Sequence, residues 1–237
     1  MGTARVSPRA REPFTVRIVR DSISPDYTAA LGAGLAALLR EGDVIRLVGD
    51  LGAGKTTLVR ALCRALRIPD ALVSSPTFVF VNDYPLAAPV RGIAHLIHVD
   101  AYRLHGSDEI DSLGWDRFML ERRAAPGHAL VCEWPERIED ALPPADECVQ
   151  VSIEHAGETS RRITIDLPDT FRARTGTDAF LEREPTRCPT TGVWVEPTRP
   201  CYPFAGEKER LADLNKWFTG AYSISREIRE DDLESQR

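Results

Sequence analysis

Nine consecutive residues have the composition and spacing of a phosphate-binding loop. They read Gly49-Asp50-Leu51-Gly52-Ala53-Gly54-Lys55-Thr56-Thr57 and fit the pattern G-x-x-x-x-G-K-S/T. Glycines allow backbone N–H groups to turn inward and bind phosphate oxygens. In this motif the lysine, Lys55, reaches the β- and γ-phosphates, and the hydroxyl of Thr56 can bind Mg²⁺. The run therefore predicts a site for a nucleotide's phosphates and a magnesium ion.

The residues on either side of the loop predict the elements that must position it. Residues 44–48 form an apolar run typical of a buried strand, and residues 57–66 carry leucines and a valine at helical spacing. Strand, glycine-rich loop and helix is the order that the motif requires. Farther upstream, residues 14–18 alternate as a strand does, and Ser24 is a typical N-cap for the helix that follows.

Strand and helix signals alternate along the remainder of the first 168 residues. This alternation favours a mainly parallel sheet, and a late hairpin around Gly157 would make the sheet mixed at an edge. The sequence therefore predicts an α/β fold of the P-loop NTPase type, with a mixed, mainly parallel sheet flanked by helices. Strands are predicted at residues 79–81, 95–99, 129–132, 149–153 and 162–167, and a helix at residues 113–123.

Two carboxylates follow predicted strands and are candidates to complete the site. Asp100 follows residues 95–99, and Glu133 follows residues 129–132. In P-loop NTPases the acid that holds Mg²⁺ typically ends a strand next to the loop. A carboxylate at a strand end is also a common cap or turn residue, but the loop favours a functional role for both. Spacing alone does not rank one above the other.

Composition excludes some classes of function. The net charge of −6 over 237 residues disfavours a protein whose main task is to grip nucleic-acid phosphates. Five widely spaced cysteines predict reduced thiols and a cytoplasmic location. The apolar runs are far shorter than the roughly 20 residues that span a bilayer, so no membrane segment is expected. Residues 1–13 lack an apolar segment, which disfavours a secretory signal, and are interpreted as a disordered tail, with an organelle transit peptide as the alternative.

Two other classes of P-loop protein fit the sequence less well. A GTPase normally reads guanine with an Asn-Lys-x-Asp element, but Asn215-Lys216 is followed by Trp217-Phe218. A kinase of a small metabolite usually has an arginine-bearing lid over the phosphates. The compact pair Arg122-Arg123 is in the right region, although it is more simply a solvated helix end. The metabolite kinase stays open as an alternative.

Five motifs occur in order along the chain: Gly49–Thr57, Ser75-Pro76-Thr77-Phe78, Tyr84, His98-Val99-Asp100-Ala101-Tyr102-Arg103-Leu104 and Glu133-Trp134-Pro135-Glu136-Arg137-Ile138. Together they resemble the TsaE family, small bacterial ATPases required for threonylcarbamoyl-adenosine formation in tRNA. The resemblance covers roughly residues 22–167, and five ordered blocks are far more specific than a phosphate-binding loop alone.

The resemblance implies a role for single residues. It makes Lys55 and Asp100 catalytic, with Lys55 on the phosphates and Asp100 near the γ-phosphate, and it makes Thr56 and Glu133 the Mg²⁺ ligands. It places Thr77 in a switch-like segment and Trp134 near the nucleotide, along with the loop residues 49–57. His98 is more simply explained as a core histidine with satisfied hydrogen bonds.

The resemblance also implies cofactors and partners. In the family the protein uses ATP and Mg²⁺ and joins two related sugar-kinase-fold proteins, TsaB and TsaD. It is not the transferase, and its hydrolysis of ATP supports repeated turnover of the complex. We therefore expect slow hydrolysis by the protein alone, and contact with tRNA only through the complex.

After Pro168 the composition of the chain changes, with little strand signal and many charged residues. We predict a linker at residues 169–186, with a helical piece around residues 179–183, and a separate small unit at residues 187–237. The ATPase domain would then be residues 14–168. A helix is predicted from Glu207 to Thr219, with an apolar face that needs something to pack against.

The small unit contains Cys188-Pro189-Thr190-Thr191-Gly192 and, later, Tyr202-Pro203-Phe204-Ala205. With these residues it resembles the YacG zinc-ribbon family, whose members bind and inhibit DNA gyrase. Cys188 stands at a ligand position of that family, but Thr191, Ala205 and Glu209 stand where its other cysteines would be. Structural zinc needs four ligands, mostly thiolate or imidazole, so no zinc site is expected at Cys188. Gyrase binding is therefore doubtful. A vestigial tail and an adaptor that binds gyrase or another partner both stay open.

Overall fold

A computed structural model of the protein describes residues 16–70, 73, 81–104, 106, 109, 110, 115 and 127–218. The main strands are β1 Val16–Ser22, β2 Val44–Val48, β3 Val81–Val90, β4 Ile93–Asp100, β5 His128–Glu133, β6 Val149–His155 and β7 Arg161–Leu167. Two short strands follow, β8 Thr186–Arg187 and β9 Trp194–Val195. The helices are α1 Pro25–Leu38, α2 Lys55–Ala65, α3 Thr177–Glu182 and α4 Glu207–Phe218.

The seven main strands form one sheet in the order β1-β7-β6-β2-β5-β4-β3. Four neighbours, β6, β2, β5 and β4, run parallel, while β3, β7 and β1 are antiparallel to their neighbours. The predicted mixed, mainly parallel sheet flanked by helices is confirmed. The late hairpin is β6–β7, and β1 lies outside it as the edge strand. Because the central strands are parallel, their carboxyl ends meet at one edge of the sheet, which is where the loop and both acids lie.

Each face of the sheet packs into its own apolar cluster. Alternate residues of β5 point to opposite faces of the sheet and belong to different clusters. Ala129 and Val131 lie in one cluster, and Leu130 and Cys132 lie in the other. The first cluster contains the buried faces of α1 and α2, and the leucines and the valine that predicted α2 are buried there. The sheet is therefore covered on both sides, as a largely parallel sheet must be.

Local signals begin both helices that flank the loop. The Ser24 hydroxyl accepts a hydrogen bond from the Tyr27 backbone N–H at 3.1 Å, and Pro25 stands at the first helical position of α1. Gly54 caps α2 in a left-handed conformation with φ of 110°. The helix that follows the loop therefore begins at Lys55, as the motif predicts.

The segment predicted as a linker packs against the main core. Phe171 and Phe180 are 2% and 0% exposed and belong to the cluster that contains α1 and α2. Arg174 forms an ion pair with Asp43 and donates to the Leu38 carbonyl at the end of α1. Two isolated aromatic residues among charges carry no periodic signal, so the sequence did not predict this packing. The division into domains otherwise stays a prediction.

The small C-terminal unit rests on α1. The Tyr27 and Trp194 rings meet edge to face with centroids 5.2 Å apart. Cys188 and Val193 close the β8–β9 hairpin, in which the Cys188 N–H donates to the Val193 carbonyl at 2.8 Å. Although burial raises the pKa of the Cys188 thiol, hydrogen bonds from Thr191 and from the backbones of Ala205, Thr191 and Thr190 bring it down to about 7.

Some expectations lie outside the described residues. These include the disordered tail, Thr77, Arg122-Arg123 and almost all of the helix predicted at 113–123. Within the described ranges, no group of three or more His, Cys, Asp or Glu side chains could hold a metal ion. The lack of zinc at Cys188 stays a prediction. None of the helices in the described part of the chain is both long and apolar enough to cross a membrane.

Candidate nucleotide and magnesium site

The phosphate-binding loop joins the end of β2 to the start of α2. Gly49 has a φ of 151°, and a Cβ there would lie 2.4 Å from the Ile153 carbonyl oxygen on β6, so no other residue fits. The backbone N–H groups at the first turn of α2 face the loop, since the helix begins at Lys55. Loop and helix end together form a site suited to anionic phosphate.

Lys55 is buried at the centre of this loop. Its side-chain Nζ donates to the Gly49 and Asp50 carbonyl oxygens at 2.6 and 2.9 Å. Burial lowers the pKa of Lys55, while the charges of Glu133, Asp100 and other acids oppose that effect. The ammonium is therefore held among negative groups, where phosphate oxygens would add to the favourable charge interactions.

Trp134 forms a wall beside the lysine. The Lys55 Nζ lies 3.9 Å from the centre of the indole ring, and the Tyr102 ring lies 5.0 Å away on a neighbouring loop. Trp134 has a left-handed backbone with φ of 61°, an unusual conformation for a large residue. Strain of this kind persists only where the surrounding structure holds it, and it is common beside functional sites.

Glu133 is the acid that contacts the loop. Its two carboxylate oxygens accept from the Thr56 hydroxyl at 3.3 and 3.4 Å, and the residue is 3% exposed. The His98 Nε2 lies 3.0 Å from Glu133 Oε1. Within the described part of the chain, the buried His98 Nδ1 has no hydrogen-bond partner, so His98 does not fit the interpretation as a core histidine with satisfied hydrogen bonds.

Strand order explains why Glu133 and not Asp100 reaches Thr56. Glu133 ends β5, which pairs directly with β2 through Leu47, next to the start of the loop. Asp100 ends β4, one strand farther from β2, and pairs with Glu133 of the neighbouring β5. The spacing of the two acids left this choice open, and the strand order brings Glu133, the acid that the family resemblance implied, to Thr56.

Asp100 has a different environment from Glu133. Its Oδ1 accepts from the Tyr102 backbone N–H at 3.1 Å. Burial raises the pKa of Asp100, and the neighbouring Glu133 charge raises it further, whereas the Tyr102 N–H, His98 and Lys55 oppose this. An acid whose pKa is raised beside a buried lysine is typical of a reaction centre.

The donor set fits magnesium. A hydroxyl and a carboxylate that lie within 3.4 Å of each other supply the hard oxygen ligands that Mg²⁺ prefers. Mg²⁺ usually takes one or two protein ligands and completes its shell with water and phosphate oxygens. Thr56 and Glu133 therefore suffice as the protein's share of such a site.

A cavity of about 120 Å³ opens on the other side of the loop. The sequence did not predict its polar wall, because those residues are far apart in the chain and Ser24 was interpreted only as a helix cap. Arg161 ties this wall to the loop by donating to the Ala53 carbonyl oxygen at 3.0 Å. The lining residues are Ser22, Ser24, Pro25, Thr28, Gly52, Ala53, Gly54, Thr57, Thr159 and Arg161.

Comparison with known families identifies the chain. A family model described as threonylcarbamoyl adenosine biosynthesis protein TsaE matches residues 22–163. The match spans more than half of the chain and contains the loop, Asp100 and Glu133. The chain belongs to the TsaE family. The resemblance seen in the sequence is thereby confirmed for this part of the protein.

Individual TsaE proteins agree with the family match. The chain is 38% identical over 143 residues to a tRNA threonylcarbamoyladenosine biosynthesis protein TsaE of Bacillus subtilis (strain 168), covering 60% of this chain and 81% of that protein. A TsaE of Streptomyces coelicolor is 39% identical over 140 residues, covering 57% and 86%. Among solved structures, the chain is also similar to the crystal structure of Bacillus subtilis YdiB, with 30% identity, coverage of 66% of this chain and 89% of that one, and a TM-score of 0.48.

The TsaE match does not extend to the C-terminal unit. It ends at residue 163, before the small unit begins, and gives no support to the zinc-ribbon resemblance of residues 187–237. Thr77 falls within the match but outside the described residues, so its switch role stays a prediction.

Proposed function

We propose that this TsaE protein hydrolyses ATP with Mg²⁺ in support of threonylcarbamoyl transfer to adenosine in tRNA. The observation that carries the proposal is the contact between the loop hydroxyl of Thr56 and the strand-end carboxylate of Glu133, at 3.3 and 3.4 Å. Membership of the family supports the pathway, since its members are named for threonylcarbamoyl adenosine biosynthesis.

The phosphates and the metal would occupy the loop. Lys55 and the loop N–H groups would bind the β- and γ-phosphates, while Thr56 and Glu133 would hold Mg²⁺. Bound Mg²⁺ would neutralise the negative charge that develops on the phosphate oxygens. The Trp134 ring would exclude water from one side of Lys55, which strengthens the attraction between ammonium and phosphate.

Asp100 would act at the γ-phosphate end of the site. Its position beside Glu133 and its raised pKa support a role in orienting the attacking water and accepting a proton from it. In this proposal the metal-binding role falls to Glu133, which accepts from Thr56, whereas Asp100 accepts from the Tyr102 backbone N–H.

The cavity behind the loop would take part of the nucleoside. Its volume of about 120 Å³ is small beside the roughly 300 Å³ of the smallest typical ligand pockets, so it suits a fragment such as the ribose. Hydroxyl groups of Ser24, Thr28 and Thr159 line it and could bind sugar hydroxyls. Thr57, which follows the metal-binding threonine, would lie between ribose and phosphates.

Partner proteins of the TsaB and TsaD type would complete the function. Apolar side chains that border the nucleotide site are exposed, with Leu51 at 72%, Ile23 at 62% and Tyr102 at 44%. Exposed apolar groups around a catalytic site are suited to burial by another protein. The protein would reach tRNA only through these partners, in keeping with its net negative charge.

The direct test is the release of inorganic phosphate from γ-labelled ATP, with and without the two partners. We expect slow release by the protein alone, faster release in the complex, and label in phosphate rather than in an acceptor. Lys55→Ala should abolish release without loss of the folded state by circular dichroism. Full hydrolysis by Lys55→Ala would refute the proposal, and label in a small acceptor would favour the metabolite kinase.

A second candidate role, as an adaptor, rests on α4. Leu211, Leu214, Trp217 and Phe218 on this helix are between 44% and 81% exposed, which is unusual for four large apolar residues in one helix. In that role the tail would bind gyrase or another partner, with the nucleotide as a structural ligand. Pull-down with the full chain and with a chain lacking residues 186–237 separates the two roles, since the ATPase role predicts the same TsaB and TsaD capture by both.

A further inference from the structure

We infer that His98 is a positioning residue for the magnesium site, and that its imidazole holds the Glu133 carboxylate against Thr56. The inference rests on the proposed function, because it assigns Glu133 to Mg²⁺. It concerns the orientation of a carboxylate and needs no change in the protonation of either residue.

The sheet brings the two side chains together. His98 lies on β4 and pairs in register with Val131 of β5, two residues before Glu133. Side chains two residues apart share a face of a strand, so His98 and Glu133 point to the same side of the sheet. Both side chains are almost wholly buried, at 0% and 4% exposed, and Nε2 lies 3.0 Å from Oε1.

The other ring nitrogen shows which tautomer is present. Nδ1 of His98 is buried and has no hydrogen-bond partner among the residues that the structure describes. A carboxylate oxygen of Glu133 can only accept, so the 3.0 Å contact needs a proton on Nε2, whereas a proton on Nδ1 alone would leave a buried donor unsatisfied. Nε2–H therefore donates to Glu133, and His98 is a directed donor to this carboxylate.

A packing role does not account for His98. An apolar residue of similar size would fill the same space without a bare buried nitrogen. The neighbouring Tyr84 ring, with its centroid 6.2 Å away, gives His98 an aromatic contact that a phenylalanine would also make. What the imidazole adds is the hydrogen bond to Glu133.

That hydrogen bond decides between two positions of the carboxylate. The Lys55 ammonium is a buried cation that attracts the Glu133 carboxylate. A carboxylate released from His98 could turn from Thr56 towards Lys55, and the two metal ligands would then lie apart. Partners that orient a metal ligand in this way typically contribute 10–100-fold to metal affinity, which is the size of effect we expect.

The test measures binding of a non-hydrolysable ATP analogue as a function of Mg²⁺ concentration. His98→Phe removes the donor and keeps the volume, whereas His98→Gln keeps an amide N–H near the position of Nε2. We expect His98→Phe to raise the half-saturating Mg²⁺ concentration by roughly 10–100-fold. His98→Gln should restore most of the wild-type value, and analogue affinity in the presence of chelator should change by less than about twofold in both.

Two further variants make the result specific. His95→Phe changes a histidine on the same strand that bonds Asp83 instead of Glu133, and it should leave Mg²⁺ dependence unchanged. In a Glu133→Gln background, His98→Phe should have no further effect on Mg²⁺ dependence. If His98→Phe does not fold, His98→Asn, whose shorter amide cannot reach Glu133, takes its place in the same series.

Two outcomes would overturn the inference. An unchanged Mg²⁺ dependence in His98→Phe, with a Mg²⁺-dependent wild type, would refute the role of His98 and leave the proposed function intact. Equal losses of affinity with and without Mg²⁺ would show that His98 is only structural. If binding of the ATP analogue by the wild-type protein does not depend on Mg²⁺, the proposed function is refuted, and the role of His98 with it.

Discussion

Asp100 and Glu133 face each other in register at the carboxyl ends of two neighbouring parallel strands. Their environments differ although their positions match. Glu133 accepts from the Thr56 hydroxyl, whereas Asp100 accepts from the Tyr102 backbone N–H. The two acids are therefore suited to separate tasks.

The charge of Glu133 is predicted to be needed for Mg²⁺-dependent hydrolysis. Glu133→Gln keeps the shape of the side chain and an oxygen that can accept hydrogen bonds, but it removes the negative charge. We expect ATP hydrolysis to fall by roughly 100-fold or more, the size of effect seen when one transition-state contact is lost. Glu147→Gln changes an exposed acid and should leave the rate within about twofold. Retention of half the activity by Glu133→Gln would contradict its role.

Asp100 is predicted to lower stability at neutral pH while serving the reaction. Its pKa is raised in the folded protein, chiefly by burial, so the folded state favours the protonated form. The stability that comes from this proton is present below the pKa of an unfolded aspartate, about 4, and is lost as pH rises through the folded value. Asp100→Asn mimics the protonated form.

The expected result for Asp100→Asn is a higher Tm than wild type at pH 7, together with a large loss of ATP hydrolysis. The difference in Tm should shrink as the pH falls towards 4, because the wild-type carboxyl then takes up its proton. Melting curves over this pH range are the measurement. A variant less stable than wild type at pH 7 would show that Asp100 is held by favourable contacts instead of being penalised by burial.

Gly49 is predicted to be irreplaceable on steric grounds. A Cβ at this position would lie 2.4 Å from the Ile153 carbonyl oxygen, and the backbone φ is 151°. Gly42→Ala is a matched control, since Gly42 also has a positive φ, 84°, but open space around it. We expect Gly42→Ala to lower the free energy of unfolding by about 1–2 kcal/mol and Gly49→Ala by clearly more, measured by urea denaturation. Equal losses would show that the backbone at Gly49 can shift away.

Phe180 is predicted to bind the C-terminal part of the chain to the main core. Phe180→Ala should lower the free energy of unfolding by about 3–5 kcal/mol, the usual cost of removing a buried phenylalanine. Phe218→Ala removes a phenylalanine side chain from a position that is 81% exposed. This control should change the free energy of unfolding by less than about 0.5 kcal/mol. A small effect of Phe180→Ala on the free energy of unfolding would instead support the interpretation of residues 169–186 as a linker.

Contiguous residues made much of this protein predictable. The loop from Gly49 to Thr57 is a single run, and its chemistry can be read without knowing the fold. The apolar periodicity of α2 and the alternation of β6 and β7 were equally local, and the structure has these elements where they were expected. The parallel sheet followed because strands that alternate with helices have few other ways to pack.

Contacts between distant residues could not be predicted in the same way. His98 and Glu133 are 35 residues apart, and Arg161 meets the loop at Ala53 across 108 residues. Phe171 and Phe180 gave no periodic signal, so their place in the core was also missed. Each of these contacts depends on which elements are neighbours, a property that no local pattern contains.

The sequence by itself determined that the chain has a phosphate-binding loop and two acids at strand ends, because these features lie in short runs with their own physical signature. Only the tertiary structure decided that Glu133 reaches Thr56, that His98 supports Glu133, and that Asp100 stands one strand away. The reason is the strand order: β5 lies directly beside β2, and β4 lies beyond it. That order arises from the packing of the whole sheet.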